Sequence, residues 1–186
     1  MRPLILCLVV ALVACGNNTA STTSTPSATS TIPFDPASLV LYESERHGFA
    51  IAYPQDWTVT EVDAENLVGF TAPSGGTALT PNFNVTVTDV DPELPATAYY
   101  EGEIERVSTA LENAEILEVA NVNVDGVLGR GLTLVTTQQG IDIGISRIIV
   151  LNEGRAYELS FFAEARRLEQ LAPMVSSIFQ SLRFIP

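Results

Sequence analysis

The chain has 186 residues, with 22 acidic side chains against nine basic ones, all of them arginine, and a formal net charge of −13. A surface this acidic is repelled by phosphate backbones and anionic headgroups, which argues against nucleic-acid binding and against electrostatic binding to a membrane surface. The lack of lysine also excludes Schiff-base chemistry and a phosphate-loop lysine.

The first residues predict an export signal. An apolar run of eleven residues, from Leu4 to Ala14, follows a single positive residue, Arg2. This run is much shorter than the roughly 20 residues that a membrane-spanning helix needs. It ends in the letters LVA directly before Cys15 and Gly16, which is typical of the lipobox of a bacterial lipoprotein. We therefore predict a signal peptide over residues 1–14 and lipidation of Cys15, the alternative being a chance cysteine after an ordinary signal peptide.

The predicted lipid fixes an expected location. Two or three acyl chains meet or exceed the two signals that stable membrane anchoring requires. We expect an extracytoplasmic protein that is lipid-anchored to a bacterial membrane, either the cell membrane or, if the host has one, the outer membrane. Cys7 is removed with the signal peptide, so the mature chain has no second cysteine with which to form an internal disulfide.

A tether precedes one globular domain. Residues 15–38 are rich in Ser and Thr and too polar to bury a core, so they predict a flexible tether with a reach of roughly 25–30 Å. Residues 39–186 are enough for one domain with its own core.

Short alternating strands come first in this domain. Residues 49–53, FAIAY, alternate between large and small side chains, and the turn letters PQD at 54–56 precede another strand at 57–60. Residues 67–71 and 83–88 give two more strands. The pattern predicts a strand, a turn and a strand at the start, with one polar face on these early strands.

A helix follows, because four apolar residues recur at spacings of four, three and four: Tyr100, Ile104, Val107 and Leu111. Thr97 is a possible N-cap, and the helix is expected to end near Asn113.

Three tight turns then separate four strands. The turn letters are DG at 125–126, QG at 139–140 and NEG at 152–154, and the first pair suits a type I′ turn. Residues 148–151, IIVL, are apolar on both sides and predict a strand that is covered on both faces. A closing helix through residues 168–182 offers part of that cover, and Pro173 should kink it or set where its regular part begins.

The element order is a series of short strands, a helix, four hairpin-linked strands and a final helix. This order predicts an α+β fold, an antiparallel β-sheet with helices packed on it as an α/β/α sandwich. Gly126, Gly129 and Gly131 lie around a hairpin rather than between a strand and a helix, so they do not fit a nucleotide-binding pattern. We expect these glycines to permit twist or close packing.

Two segments carry a family resemblance. The Gly48-Phe49, Tyr53-Pro54 and Trp57 pattern resembles the opening hairpin of the PsbP and Mog1-like superfamily, and the letters IFQSLRF at 178–184 are similar to its terminal helix and edge segment. The resemblance covers roughly residues 40–184. It implies the same sandwich fold and a role in binding, since members include photosystem accessory proteins, a nuclear transport factor and envelope lipoproteins. Physical reasoning assigns these residues a structural role: Pro54 ends a strand, and Trp57 anchors the core.

Few residues suggest chemistry. His47 is the single histidine, and at a strand entrance it is expected to be a solvated surface residue. Asp89, Asp91 and Glu93 present carboxylates at alternate positions, as weak candidates for metal ligands. A solvated acidic loop is the favoured interpretation, because an EF-hand glycine is missing and Pro92 interrupts the run. Glu101, Glu103 and Glu105 point in different directions on a helix and form no obvious catalytic pair.

The sequence therefore predicts a non-catalytic, lipid-anchored envelope binding or assembly protein without a cofactor, whose partner is an envelope protein or a small ligand. Two alternatives stay open. One is a divalent-metal-dependent or otherwise unfamiliar hydrolase that uses Asp89, Asp91, Glu93 or His47. The other is a photosystem-associated accessory factor, which only the resemblance implies.

Overall fold

A computed structural model describes residues 34–62, 67–111 and 113–186. The predicted signal peptide, Cys15 and nearly all of the predicted tether lie outside these residues. Within them, no helix has both the length and the apolar character that crossing a bilayer requires.

The described residues form ten strands, two α-helices and two short 3₁₀ helices. The strands are β1 (Leu39–Ser44), β2 (Phe49–Pro54), β3 (Thr58–Val62), β4 (Leu67–Thr71), β5 (Asn82–Asp89), β6 (Glu115–Val124), β7 (Val127–Gln138), β8 (Ile141–Asn152), β9 (Arg155–Glu164) and β10 (Arg183–Phe184). The helices are α1 (Ala96–Ala110) and α2 (Leu168–Gln180), with 3₁₀ helices at Pro36–Ser38 and Ala165–Arg167.

The strands form two antiparallel sheets. The large sheet has the order β3-β4-β5-β9-β8-β7-β6, and the small sheet has the order β1-β2-β10. The predicted class, an α+β fold with helices on antiparallel sheet structure, is confirmed. The division into two sheets was not predicted.

The predicted strand-turn-strand unit at residues 49–60 is present, but it is not a hairpin. β2 pairs with β1, whereas β3 pairs with β4 in the other sheet. Pro54 ends β2, and its carbonyl oxygen accepts a hydrogen bond from the amide of Trp57 at 2.9 Å as the chain crosses between sheets. The hairpin that holds Gly48-Phe49 and Tyr53-Pro54 is formed by β1 and β2, and Trp57 follows it at the crossing, since a turn sequence does not specify which strand lies alongside.

The main core lies between the large sheet, α2 and the small sheet. Its members alternate along β5 and β9, and α2 and β2 pack against them: Phe83, Val85, Leu159, Phe161, Val175, Ile178, Phe49 and Ile51. Trp57 is 9% exposed and lies between Phe83 and Phe161, with ring centroids 5.8 and 6.4 Å away. This confirms its predicted role as an anchor of the core.

α1 covers the opposite face of the large sheet. Val107 packs there with Leu132, Leu134 and Ile145. Ile148, Ile149 and Val150 are all nearly inaccessible, which confirms the predicted strand with two covered faces. Ile148 and Val150 belong to the core under α2, and the alternation of a strand turns Ile149 to the α1 side.

Local signals set the turns well and the helix starts less well. Asp125 and Gly126 have φ values of 51° and 84°, as the type I′ prediction requires. α1 begins at Ala96 with Pro95 at the cap position, so Thr97 lies inside the helix and the predicted cap was wrong. α2 begins at Leu168 and contains Pro173, so the proline does not set its start.

Gly129 and Gly131 of the β6–β7 hairpin permit close packing, as expected, whereas a Cβ at Gly126 would meet no atom within 4 Å. A Cβ at Gly129 would overlap the carbonyl oxygen of Ile149 and lie 2.9 Å from Val150 Cγ2. A Cβ at Gly131 would lie 3.0 Å from Val122 Cγ1. Neither glycine contributes to a nucleotide site, since both lie inside paired strand β7.

Candidate functional site

A cleft of about 530 Å³ opens at one end of the molecule, where the β1–β2 turn, the β8–β9 turn and the segment at β10 meet. We call it the terminal cleft. It is lined by Glu45, Arg46, Gly48, Asn152, Glu153, Arg155, Tyr157, Phe184, Ile185 and Pro186. Apolar, acidic and basic groups therefore face one space.

Gly48 makes the floor of the terminal cleft possible. Its φ is +69°, and a Cβ there would lie 3.3 Å from both the Tyr157 hydroxyl and the Ile185 carbonyl oxygen. The Gly48 carbonyl oxygen accepts a hydrogen bond from the Ile185 amide at 3.1 Å. Only glycine allows this left-handed turn to approach the terminal segment so closely.

Tyr157 joins the cleft to the core. Its hydroxyl donates to the carbonyl oxygen of His47 at 3.2 Å, and its ring meets Phe184 edge to face with centroids 4.9 Å apart. Tyr157 is 3% exposed, so a buried side chain forms this wall. The cleft is therefore preformed on packed side chains rather than on a loose loop.

The rim of the cleft carries both signs of charge. Arg155 Nε lies 3.6 Å from Asp89 Oδ1, but the two side chains are 42% and 94% exposed. An ion pair this exposed contributes little, so a ligand can displace it at small cost. The guanidinium groups of Arg46 and Arg155 suit a carboxylate or phosphate, and Glu45 and Glu153 suit a cationic group.

His47 and Asp89 meet at a side recess of about 110 Å³, together with Arg46, Val87 and Arg155. The prediction that His47 is a solvated surface residue was wrong. His47 is only 7% exposed and stacks on Phe49 with ring centroids 6.5 Å apart. Sequence position placed it at a strand entrance, but the tight turn folds the ring against the core.

The other acidic candidates remain apart. Asp91 Oδ1 accepts a hydrogen bond from the Glu93 amide at 2.9 Å, which is the geometry of a turn. Asp89 points toward Arg155 instead. In the part of the chain that the structure describes, no three His, Cys, Asp or Glu side chains come close enough to hold a metal ion.

Sequence reasoning missed a charged cluster beneath α1. Arg147 Nη1 lies 3.4 Å from Glu158 Oε2, and Arg147 Nε donates to the Ser160 hydroxyl at 2.8 Å. Tyr99 donates to Glu158 Oε1 at 3.1 Å, and Arg106 lies 3.7 Å from Glu158 Oε2. Arg106 also pairs with Glu103 one turn earlier on α1. A lone arginine among isoleucines was the available signal for this cluster.

The buried groups of this cluster shift one another's pKa. Burial lowers the pKa of Arg147, and the neighbouring Glu158 opposes that shift. Burial raises the pKa of Tyr99, and Glu158 adds to the shift. Because these groups neutralise one another beneath a helix, the cluster joins α1 to the sheet and presents no free base or nucleophile to a ligand.

Comparison with known proteins identifies relatives of this fold. The family model of PsbP-like proteins matches residues 3–184. Cyanobacterial PsbP from Synechocystis superposes with a TM-score of 0.64 at 16% identity, covering 80% of this chain and 93% of its own. No curated protein matches the sequence significantly.

Two other solved structures are similar. LpqN of Mycobacterium tuberculosis, described as involved in cell envelope biogenesis, has a TM-score of 0.59 at 14% identity, covering 74% of this chain and 83% of its own. PA94 of Pseudomonas aeruginosa, described as of unknown function, has a TM-score of 0.61 at 16% identity, covering 80% of this chain and 98% of its own. At these identities the likeness shows the fold alone.

Proposed function

The chain belongs to the PsbP-like protein family, and from that membership we propose that it is a non-catalytic accessory protein of a bacterial envelope, anchored by lipid and acting by binding. The relative LpqN, described as involved in cell envelope biogenesis, supports this role. The binding site is the terminal cleft, and the bound partner is an envelope protein or a small ligand of that compartment.

The burial of His47 carries the non-catalytic part of the proposal. This is the single histidine of the chain, and a general acid or base poised near neutral pH is most often a histidine. His47 is 7% exposed, and its ring lies against Phe49. A ligand in the terminal cleft meets guanidinium and carboxylate groups, which recognise charge, whereas His47 lines only the side recess.

The anchor belongs to the same proposal. A thioether-linked diacylglycerol on Cys15 would hold the domain at the membrane, and residues 15–38 would let the cleft turn toward a partner. The net charge of −13 keeps the domain itself off anionic headgroups, so the lipid supplies the attachment and the cleft stays free to bind.

Crosslinking in intact cells, followed by mass spectrometry, tests the proposal. We expect repeated recovery of one defined envelope partner or ligand with the native chain, and its loss with Arg155→Glu, which reverses the charge on the cleft rim. The matched control is Arg167→Glu, which makes the same charge change outside the cleft. Replacing His47 with Gln should leave recovery unchanged in chains that fold.

Two results would contradict the proposal. Repeated recovery of no partner by the native chain would argue against a binding role. Equal loss with Arg155→Glu and Arg167→Glu would remove the cleft as the binding site.

A further inference from the structure

We propose that the outer edge of β6 is a docking site for an extended strand of a partner protein in which apolar side chains alternate with basic ones. This edge is distinct from the terminal cleft, and its role does not depend on the lipid anchor. Three features of the described residues carry the inference: free backbone groups, exposed apolar side chains on one face, and a groove on the other.

β6 is the last strand of the large sheet, and no described strand pairs with its outer edge. The Asp125-Gly126 turn has two residues, so Val124 and Val127 form a hydrogen-bonded pair beside it. Pairs alternate from there, so the amide and carbonyl groups of Val119, Asn121 and Asn123 point outward. An added strand would meet three ready donor and acceptor sites.

Native proteins usually protect such an edge, and β6 does so only at one end. A register shift between Ile116 and Glu118 interrupts the ladder at its start. From Glu118 to Val124 the pairing with β7 is regular. Seven residues of straight edge are comparable to an ordinary strand, so they offer enough length for pairing.

Apolar side chains are exposed along this edge. Leu128 is 71% exposed, Leu117 55%, Val119 45% and Ile116 37%. These are four of the seven large hydrophobic residues that are exposed in the described chain. Val119 pairs with Leu132, and Leu128 lies four residues before Leu132 on the same strand. Val119 and Leu128 therefore lie on the same face of the sheet. Concentration of apolar surface in one place marks an interaction site.

A groove lies on the other face of the same edge. Its volume is about 290 Å³, and it runs between β6 and α2, where it is lined by Val122, Asn123, Val124, Ile148, Ser176, Phe179 and Gln180. A strand added beside β6 would send alternate side chains into this groove and over Val119. Strand addition recognises peptides in this way, with backbone bonds giving affinity and side-chain pockets giving specificity.

Charge selects the occupant. Glu115 and Glu118 lie on β6, the guanidinium of Arg130 on β7 is already bound to the Asn121 side-chain oxygen, and the whole chain has a net charge of −13. A second copy of the chain would bring the same negative charge, so self-pairing of two edges is opposed by repulsion. A strand with basic side chains between its apolar ones is attracted by the negative charge that repels a second copy.

A labelled peptide tests the site directly. We would use residues 15–186 with Cys15→Ser, and the blocked peptide KVTVKVTVK. We expect saturable binding that weakens as salt is added, because the attraction is partly between exposed charges. The acidic peptide EVTVEVTVE, which has the same alternation, should not bind. Failure of the basic peptide to bind, or equal binding of both peptides, would overturn the proposal.

Variants locate the binding. Asn121→Pro removes an outward amide without removing a bond of the β6–β7 ladder, so we expect affinity to fall by at least about tenfold while the fold is retained. Asn121→Thr keeps the amide and should change affinity by less than about twofold. If the proline variant unfolds, Val119→Lys serves instead, with Leu41→Lys on β1, which is 60% exposed, as its matched control.

Hydrogen exchange separates this site from its alternatives. The amides of Val119, Asn121 and Asn123 should exchange quickly in the free chain and slowly with the basic peptide. Slow exchange in the free chain would show that another segment or a second copy already occupies the edge, and would overturn the proposal. Sedimentation then shows whether that occupant is a second copy of the chain or another segment. None of these outcomes tests the terminal cleft, which is tested separately by Arg155→Glu in the crosslinking experiment.

Discussion

Arg147 shows at the scale of one residue how the fold handles an unfavourable group. It lies in β8 among isoleucines, and its side chain is 17% exposed. Its Nη1 atom makes no hydrogen bond within the described residues, although Glu158 Oε2 lies 3.4 Å away. The charge is therefore compensated chiefly by the carboxylate of Glu158, which is itself only 13% exposed.

We predict that Glu158→Gln lowers the free energy of unfolding by about 3 kcal/mol, because it leaves the charge of Arg147 buried without a counterion. The double variant Arg147→Met with Glu158→Leu should be more stable than Glu158→Gln, since it removes both charges together. Urea unfolding monitored by circular dichroism measures these differences.

The control is the exposed pair at the cleft rim. Asp89→Asn breaks the ion pair with Arg155 and should cost less than about 1 kcal/mol, because both groups stay hydrated. Equal losses for Asp89→Asn and Glu158→Gln would show that burial does not govern the energy of these pairs.

Residue identity alone does not specify these placements. The sequence showed one histidine and a lone arginine in an apolar strand, but not that His47 would be packed or that Arg147 would meet Glu158. Local pattern reports which face a side chain takes, and the burial of that face depends on elements far away in the chain. Ser160, beside Arg147, is the partner of residue 147 in register, which becomes visible only once β8 pairs with β9.

Ser181 carries a connection between two elements. β10 has only two residues, which pair with Phe49 and Ala50 of β2. Beyond that pair the amide of Ala52 donates instead to the Ser181 hydroxyl oxygen at 2.8 Å, and this hydroxyl donates to the Ile178 carbonyl oxygen at 2.6 Å. One side chain therefore closes the end of α2 and continues the edge of the small sheet.

We predict that Ser181→Ala destabilises the protein by about 1–2 kcal/mol, because the half-buried amide of Ala52 loses its acceptor. The matched control is Ser177→Ala, whose exposed hydroxyl bonds within the same helix to Pro173 and whose loss should change stability by less than about 0.5 kcal/mol. Thermal unfolding of the two variants compares them. A loss for Ser177→Ala as large as for Ser181→Ala would contradict this assignment.

At the scale of elements, the sequence predicted best the features that residues adjacent in the chain determine. The three glycine turns and the strands beside them follow from residues that are adjacent in the chain, and all three turns have positive φ at both central residues. The pairing of β2 with β10 joins residues more than a hundred positions apart, for which no local pattern exists. β1 was not named because its exposed Val40 and Leu41 break the alternation.

For the whole molecule, the location rests on Cys15, and it stays a prediction. We expect Cys15→Ala to abolish labelling with a palmitate analogue and to release the protein from the membrane fraction, because no acyl chain can then be attached. Cys7→Ala, within the same apolar run, should leave both labelling and fractionation unchanged. Label that persists in Cys15→Ala would refute lipid anchoring.

Sequence by itself determined the class of the fold, the order of most elements, the acidity of the surface and the predicted anchor, because these follow from composition and from patterns of a few residues. Tertiary structure alone decided that the strands divide into two sheets, that His47 packs against the core, and that Arg46, Arg155 and Tyr157 surround one cleft. It also decided that four of the seven exposed large apolar side chains of the described residues lie on β6 and at the start of β7. The reason is that a cleft or an edge is formed by segments distant in sequence, whose meeting is set by the packing of the whole core.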